Sequence, residues 1–394
     1  MKKIVSDCCK IILYFTYYSI PFFVSIVVFG QDSSTQSRIP NGNYLDVGGA
    51  KIYFEEEGKG ESVVLVHDGL VNSMTWDGEW ETLKQKYHVI RYDRRGYGRS
   101  DTSSSPFSQI EDLHKLFIHL QIKHATLVGC SSGGGIVIDF SLVYPEMVDR
   151  LILIGSVLHG MVVTSQFEER GRKNNAPLKH GDFITAAENW SNDPFTIAPG
   201  DSVGKKKLYE ALVKYPGNLK YSGNLETRLQ IPAVRRLSNI FIPTLILVGE
   251  YDMPDVHALE GAIQAGIPGA RREIVKGCGH LIPLENSDFL STRIISFIEK
   301  HPRVLVDENI LESYTGKYKI WGNAATILKM DHQLFFRFPG EWDIPLFPES
   351  VSKMKCFMWG QDAEMEFLKD SSGKVAQVVI TGEDNGEVTK CPKI

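Results

Sequence analysis

The sequence predicts an α/β fold: a parallel sheet layered with helices, interrupted by a helical cap and followed by a small antiparallel β domain. Short continuous apolar, β-branched runs recur at 62–66 (SVVLV), 89–92, 150–154 (RLILI), 244–248 (TLILV) and 272–275, with helical-looking stretches between them. Such runs are the pattern of strands buried on both faces of a parallel sheet. After His301-Pro302 the texture changes to short alternating runs divided by turn residues, the pattern of antiparallel strands.

Ahead of the sheet, Lys2, Lys3 and Lys10 precede an apolar run over residues 11–29, then Gly30 and the polar QDSSTQS. This reads as a secretory signal peptide cut after Gly30, or as an uncleaved signal anchor through 11–29. Tyr14, Thr16, Tyr17, Tyr18, Ser19 and Pro21 dilute the run and favour cleavage. Either reading exports the folded part, periplasmic or secreted, with possible membrane anchoring. Cys8 and Cys9 precede the apolar run, so they do not form a lipoprotein cleavage box. The remaining chain divides into a domain at 40–302, with the cap at about 156–239, and a β domain at 305–394.

The richest stretch is TLVGCSSGGGIVIDF at 126–140. Gly129-Cys130-Ser131-Ser132-Gly133 forms a G-x-S-x-G pattern where a strand-like run gives way to a helix-like one. A serine there sits on a sharp turn that exposes its hydroxyl above the sheet, and side chains at the flanking glycines would crowd it. Asp252 and His280 also lie just past strand ends, at GEYD and GCGH. Ligands bind beyond the carboxyl ends of parallel strands, so the three can meet at one edge. Glu250 and Asp255 compete with Asp252 for the acid position.

These motifs carry a resemblance. Residues from about 43 to 299 resemble the α/β-hydrolase superfamily, with HDGLVNSMTW, DRRGYGRS, GCSSGG, GEYD and GCGH in family order. The first block is similar to enol-lactonase-like and carboxylesterase-like members, which carry H-x-G-(six residues)-W. The resemblance implies Ser131 as nucleophile, His280 as base and then acid, and Asp252 as its orienting acid, a position the family spacing favours. It also implies an oxyanion hole from the backbone N–H groups of Gly69 and Ser132. Asp68, glycine in many relatives, and Cys130, histidine in many, depart from the pattern. Asp68 is expected to face water or cap a neighbouring N–H, or else to select a cationic substrate group. His67 is expected to organise its loop, Asp93 and Arg95 to form a turn and an ion pair, and Trp76 to lie in the core.

The expected reaction is hydrolysis of a carboxylic ester, thioester or lactone, a small-molecule substrate, with no cofactor and no metal. Amide or C–C bond hydrolysis, cofactor-free perhydrolysis, and a non-catalytic ligand-binding receptor are the alternatives. Epoxide hydrolases and haloalkane dehalogenases share the resemblance but use aspartate at the elbow, and Ser131 argues against both. Removing residues 1–30 leaves 40 basic against 47 acidic side chains, a balance that speaks against nucleic acid. No GxxxxGK[ST] loop, HExxH helix or Cys/His cluster occurs.

The cap sequence, with FEERGRKNN, DFITAAENW and GKKKLYEALVKY, offers Phe183, Trp190 and Phe195 as pocket-lining or cap-core aromatics. Cys130 and Cys278 are expected as free, buried thiols, with pairing between them open. Cys356 and Cys391 could pair in an oxidising compartment. From Tyr314-Thr315-Gly316-Lys317-Tyr318 onward, QLFFRFPG and MEFLKDSSGKV resemble the lipocalin-like β domain that follows serine-hydrolase domains of the β-lactamase-related type. That domain is expected as an accessory or dimerisation module, or as a wall of the cleft.

Overall fold

The computed structural model describes residues 42–394 apart from 222, 341, 342, 359, 384 and 385. The signal peptide or anchor expected at 1–30 lies outside the described residues. Among those described, no helix is long and apolar enough to cross a membrane.

The first sheet contains β1 (Asn43–Asp46), β2 (Lys51–Glu57), β3 (Ser62–Val66), β4 (His88–Tyr92), β5 (Ala125–Cys130), β6 (Val148–Ile154), β7 (Thr244–Gly249) and β8 (Arg271–Val275). Its order is β1-β2-β4-β3-β5-β6-β7-β8. The sheet is mixed rather than wholly parallel: β1 with β2 and β2 with β4 run antiparallel, and all other pairs run parallel. The central strands have the expected double burial. β8 does not, because it is an edge: Ile274 is 54% exposed.

Alternate residues of each central strand serve opposite faces. Val64, Val66, Leu127, Leu151, Leu153 and Ile246 pack under α2 (Gln109–His119), α3 (Ser132–Val143) and part of α7 (Pro254–Gly266). Val63, Leu65, Val128, Ile152, Leu245 and Leu247 join Trp76, α1 (Asp77–Leu83), α8 (Ile282–Glu285) and α9 (Ser287–Lys300). Each such side chain contributes about 1.5–3 kcal/mol by burial, which fixes the strand register. Trp76 is core, as expected.

Between β6 and β7 the chain makes a helical excursion containing α4 (Ser165–Asn175), α5 (Phe183–Ser191) and α6 (Ser202–Lys214). Thr164, Asp182 and Asp201 cap these helices by accepting backbone N–H bonds in their first turns, which fixes where each helix begins.

After α10 (Glu308–Tyr314), eight strands form an antiparallel meander: β9 (Gly316–Ile320), β10 (Asn323–Met330), β11 (Gln333–Arg337), β12 (Ile344–Pro348), β13 (Lys353–Met358), β14 (Gln361–Lys369), β15 (Val375–Gly382) and β16 (Val388–Pro392). A bridge between Tyr318 and Lys393, and the Ile394 N–H to Lys317 O bond of 2.8 Å, nearly close it into a barrel. Tyr318, Phe336, Leu346, Met354, Met365 and Phe367 belong to its core. The four described cysteines are free and buried, so the pairing of Cys356 with Cys391 is not formed. Cys356 and Cys391 stand on β13 and β16, with β14 and β15 between, three strand spacings or roughly 14 Å along the sheet against the roughly 7 Å Cα limit of a disulfide.

The barrel packs on the amino-terminal ends of β6, β7 and β8. Cavities along this seam are lined by Asp149, Pro243, Thr244 and Arg271 on one side and by Phe347, Lys355 and Phe357 on the other. Phe241 meets Phe335 edge-on at 4.8 Å, and Arg271 pairs with Asp362. Of the two roles expected for this domain, the cleft wall is therefore corrected: the barrel sits at the sheet edge opposite the carboxyl ends.

Candidate active site

Ser131 joins β5 to α3 with φ 53° and ψ −119°, a backbone conformation that a residue with a side chain occupies only under constraint. Its N–H donates to Ile154 O at 2.8 Å, and its carbonyl accepts from Val157 N at 3.0 Å. A Cβ at Gly133 would overlap the carbonyls of Val66 and His67, and one at Gly129 would stand 2.7 Å from Gly134 Cα. Both glycines are required by close approach, as the sequence implies.

His280 and Asp252 arrive on loops after β8 and β7. Asp252 follows the tight turn at Gly249, whose Cβ would overlap Gly279 O. Ser131 Oγ lies 2.8 Å from His280 Nε2, and His280 Nδ1 lies 2.7 Å from Asp252 Oδ2. In this arrangement Nδ1–H donates to the carboxylate and Nε2 accepts the serine proton. The other Asp252 oxygen accepts from Met253 N at 2.7 Å, which fixes its rotation. The competing carboxylates are engaged elsewhere: Asp255 holds Thr164 N at 2.6 Å, and Glu250 holds Gly277 N at 3.0 Å. Burial works to depress the His280 pKa, but the charge and hydrogen bond of Asp252 outweigh it and leave the imidazole above its ordinary value.

The Gly69 loop faces the start of α3: a Cβ at Gly69 would stand 3.2 Å from Ser132 Oγ. First-turn amides of a helix have no carbonyl partner within it, so this corner can present N–H groups to an anion. Asp68 is buried rather than facing water. Its Oδ1 accepts from Leu70 N (2.6 Å) and Val71 N (2.9 Å), and its Oδ2 accepts from Thr75 Oγ1 (2.6 Å). The carboxylate thus caps its own loop with both oxygens. Beneath it, His67 donates from Nδ1 to Asp68 O at 2.7 Å and accepts Arg94 N–H at Nε2 at 2.9 Å. Burial and the Arg94 charge hold His67 neutral, well below its usual pKa. It organises the loop, as expected.

Asp93 and Arg95 do form buried ion pairs, but not with each other. Asp93 takes Arg99 at 2.8 Å, while Arg95 grips Asp112 with both ends of its guanidinium at 2.7 and 2.9 Å. Of the cap aromatics, Trp190 is buried and donates to Asn175 Oδ1 at 2.8 Å, and Phe183 lies under Lys220 Nζ at 4.6 Å. Only the Phe195 segment reaches the site, where its carbonyl accepts His280 N–H at 2.8 Å. Burial pushes the Cys130 thiol well above its usual pKa and that of Cys278 up to about 12, so both stay protonated beside the site.

Three residues at the site escaped the sequence reading. Arg94 Nη2 donates to Asp68 O at 2.6 Å and to Ser132 Oγ at 3.0 Å, although DRRGYGRS reads only as a turn. Gly155, a glycine directly after RLILI, was the one legible signal; its φ is 52° and it backs His280 and Asp252. Glu285 bridges the histidine loop and the cap. Among the described residues, no cluster of three or more His, Cys, Asp or Glu side chains could hold a metal.

A serine at a strained strand–helix elbow above a mostly parallel sheet, hydrogen-bonded to a histidine, defines an α/β-hydrolase-type site. The chain belongs to the alpha/beta hydrolase fold family, whose model matches residues 62–287, more than half of its length. An uncharacterized protein of Mycobacterium tuberculosis, Rv2715, is 34% identical over 120 residues; that match covers 30% of this chain and only 35% of Rv2715. The putative carbamate hydrolase RutD of Azorhizobium caulinodans is 26% identical over 258 residues, covering 64% of this chain and 97% of RutD. A thermophilic esterase from Thermogutta terrifontis has the same fold, with a TM-score of 0.56 and 23% identity over 64% of this chain and 94% of that one. The family match stops short of the barrel. The protein is a member of a hydrolase family, and hydrolase activity is the coarse reading the fold supports.

Proposed function

We propose that the protein is a serine hydrolase that cleaves a carboxylic ester, thioester or lactone through an acyl-enzyme on Ser131. The observation that carries this reading is the unbroken chain from Ser131 Oγ through His280 to Asp252, at 2.8 and 2.7 Å. A serine hydroxyl becomes nucleophilic when a base in hydrogen-bond reach takes its proton, and His280 Nε2 is that base. Oγ adds to the substrate carbonyl as the proton moves to Nε2. Asp252 keeps Nδ1–H in place and stabilises the imidazolium. The N–H groups of Gly69 and Ser132 receive the tetrahedral oxyanion, each such donor stabilising the transition state by about 3–4 kcal/mol. His280 then returns the proton to the departing alkoxide or thiolate. Water, deprotonated by the same nitrogen, releases the acid and restores Ser131.

A carbamate or amide carbonyl would be attacked in the same way, and the 26%-identical putative carbamate hydrolase places that class in the substrate panel. The N-terminal pattern of lysines, an apolar run and Gly30 supports export of the enzyme. The test is hydrolysis of p-nitrophenyl esters from acetate to long acyl chains by the full chain, beside Ser131→Ala. Turnover lost in the variant supports the reading. Equal, negligible rates on esters, lactones and carbamates would overturn it.

A further inference from the structure

The histidine loop does not stand alone: a strap of the cap, running from Asp193 to Ala198, is laced to it. His280 N donates to Phe195 O at 2.8 Å, and Leu281 N donates to Thr196 O at 3.1 Å. The packing is close enough that a Cβ at Gly279 would stand 2.9 Å from Phe195 O and 3.0 Å from Ala198 N. One side chain completes the lacing. Glu285 Oε1 accepts from Ala198 N at 2.7 Å, and Oε2 accepts from Gly279 N at 2.8 Å. A single carboxylate thus holds a cap amide and the amide directly before His280.

The strap is organised from its other side as well. Asp193 accepts both Arg170 guanidinium bonds, at 2.7 and 2.8 Å, and caps Phe195 N and Thr196 N at 3.1 and 3.0 Å. Arg170 therefore shapes the strap, and Glu285 attaches it to the histidine loop. Glu285 is itself held: it ends α8, and Lys207 of α6 donates to the neighbouring Leu284 O at 3.1 Å.

We infer that Glu285 is a positioning residue for His280, fixing the imidazole over Ser131 by tying its loop to the cap strap. The inference rests on the proposed role of His280 as the base. Two backbone N–H bonds on one carboxyl group set the loop's height as well as its distance from the strap, while burial raises that group's pKa to about 7 against the opposing pull of the same two bonds. An error near 1 Å in a catalytic group costs on the order of 100-fold in rate, so a small relaxation of this loop is enough to matter.

The experiment compares the full chain with Glu285→Ala and Glu285→Gln by three measurements. Kinetics on the best p-nitrophenyl ester should give kcat reduced about 10- to 100-fold in Glu285→Ala, with KM within about threefold, because the pocket remains while the base is misplaced. Glu285→Gln keeps one acceptor oxygen and should recover part of the loss. The downfield proton resonance of the His280–Asp252 hydrogen bond should broaden or move in Glu285→Ala, where amide exchange at both Gly279 and Ala198 should speed up at least about tenfold over wild type, whereas Glu285→Gln should expose only one of the two amides. Wild-type kcat, or unchanged Gly279 and Ala198 exchange, in Glu285→Ala overturns the inference. If wild type itself neither turns over esters nor labels with a fluorophosphonate, the serine-hydrolase reading fails. The exchange and proton-resonance measurements then still decide whether Glu285 positions the loop.

Discussion

Gly155 stands directly behind His280: a side-chain carbon at this residue would come within 3.0 Å of Nδ1, and within 3.1 Å of Asp252 Oδ2. The close fit comes from the sheet, because β6 ends one residue earlier and hands its chain across the floor of the site. Its φ of 52° adds a second reason for glycine. Gly155→Ala should therefore push the imidazole off its line to Ser131. The expected outcome is a fall in kcat/KM of about 10- to 100-fold with a folded protein. Steady-state kinetics beside circular dichroism checks it, and wild-type turnover in Gly155→Ala would mean that the histidine has slack.

The pH dependence of turnover follows from the direction of the His280 shift. Burial, the largest influence, lowers its pKa, but Asp252 more than reverses this, so the free-enzyme imidazole stays protonated to a higher pH than ordinary histidine. The base must be neutral to accept the Ser131 proton. The acid limb of kcat/KM should therefore be centred above about 6.5, the ordinary histidine value. The same shift favours folding in the protonated form. That contribution is present at low pH and is lost as pH rises through the raised value, so it runs opposite to activity. Asp252→Asn should move the limb downward and reduce kcat by about four orders of magnitude. A pH–rate profile of both proteins decides, and an unmoved limb would detach Asp252 from the titration.

Asp68 offers a separate test, because its charge is spent on its own loop. Both oxygens accept hydrogen bonds from Leu70, Val71 and Thr75 inside the fold. Removing the carboxylate leaves buried donors unpaired, at a cost of about 1–3 kcal/mol each. Asp68→Ala should lower the melting temperature and reduce kcat/KM by one common factor for neutral and cationic esters. A loss confined to cationic esters would show that the carboxylate reads the substrate after all.

How much of this was legible beforehand divides along physical lines. The elbow was readable because Gly129 and Gly133 obey a close-approach rule local to the turn. Ser131, Asp252 and His280 were readable because each follows a strand, and strand ends share an edge. The pairing of β1 and β2 was not, since NYLD and KIYFEEE carry more polar and acidic side chains than a doubly buried strand allows. β12 was hidden by Pro345 and Pro348, which a strand reading rejects unless the strand's partners are known. Asp93 and Arg95 read as a turn with an ion pair, but their actual partners depend on where α2 and Arg99 come to lie. Glu285 was invisible for the same reason: its two acceptor bonds join segments that are far apart in sequence, and no local spacing announces them.

The barrel's place on the sheet leads to the last prediction. It packs against the first residues of β6, β7 and β8, while Ser131, Asp252 and His280 follow the last residues of their strands. A strand of this size separates the two edges by roughly 17–20 Å, too far for barrel side chains at the seam to touch substrate held at Ser131. Phe335 is nevertheless almost fully buried, because it faces Phe241 across the seam while its neighbours Leu334 and Phe336 fill the barrel interior. Phe335→Ala should thus destabilise the chain by about 3–5 kcal/mol. Kinetics on p-nitrophenyl esters should stay within about twofold of wild type at temperatures where the variant is folded. Thermal melts and kinetics on the same sample check both halves. A kinetic defect as large as that of Gly155→Ala, without a matching loss of folded protein, would mean that the seam is coupled to the opposite edge through the strands, and that the barrel acts on catalysis from a distance.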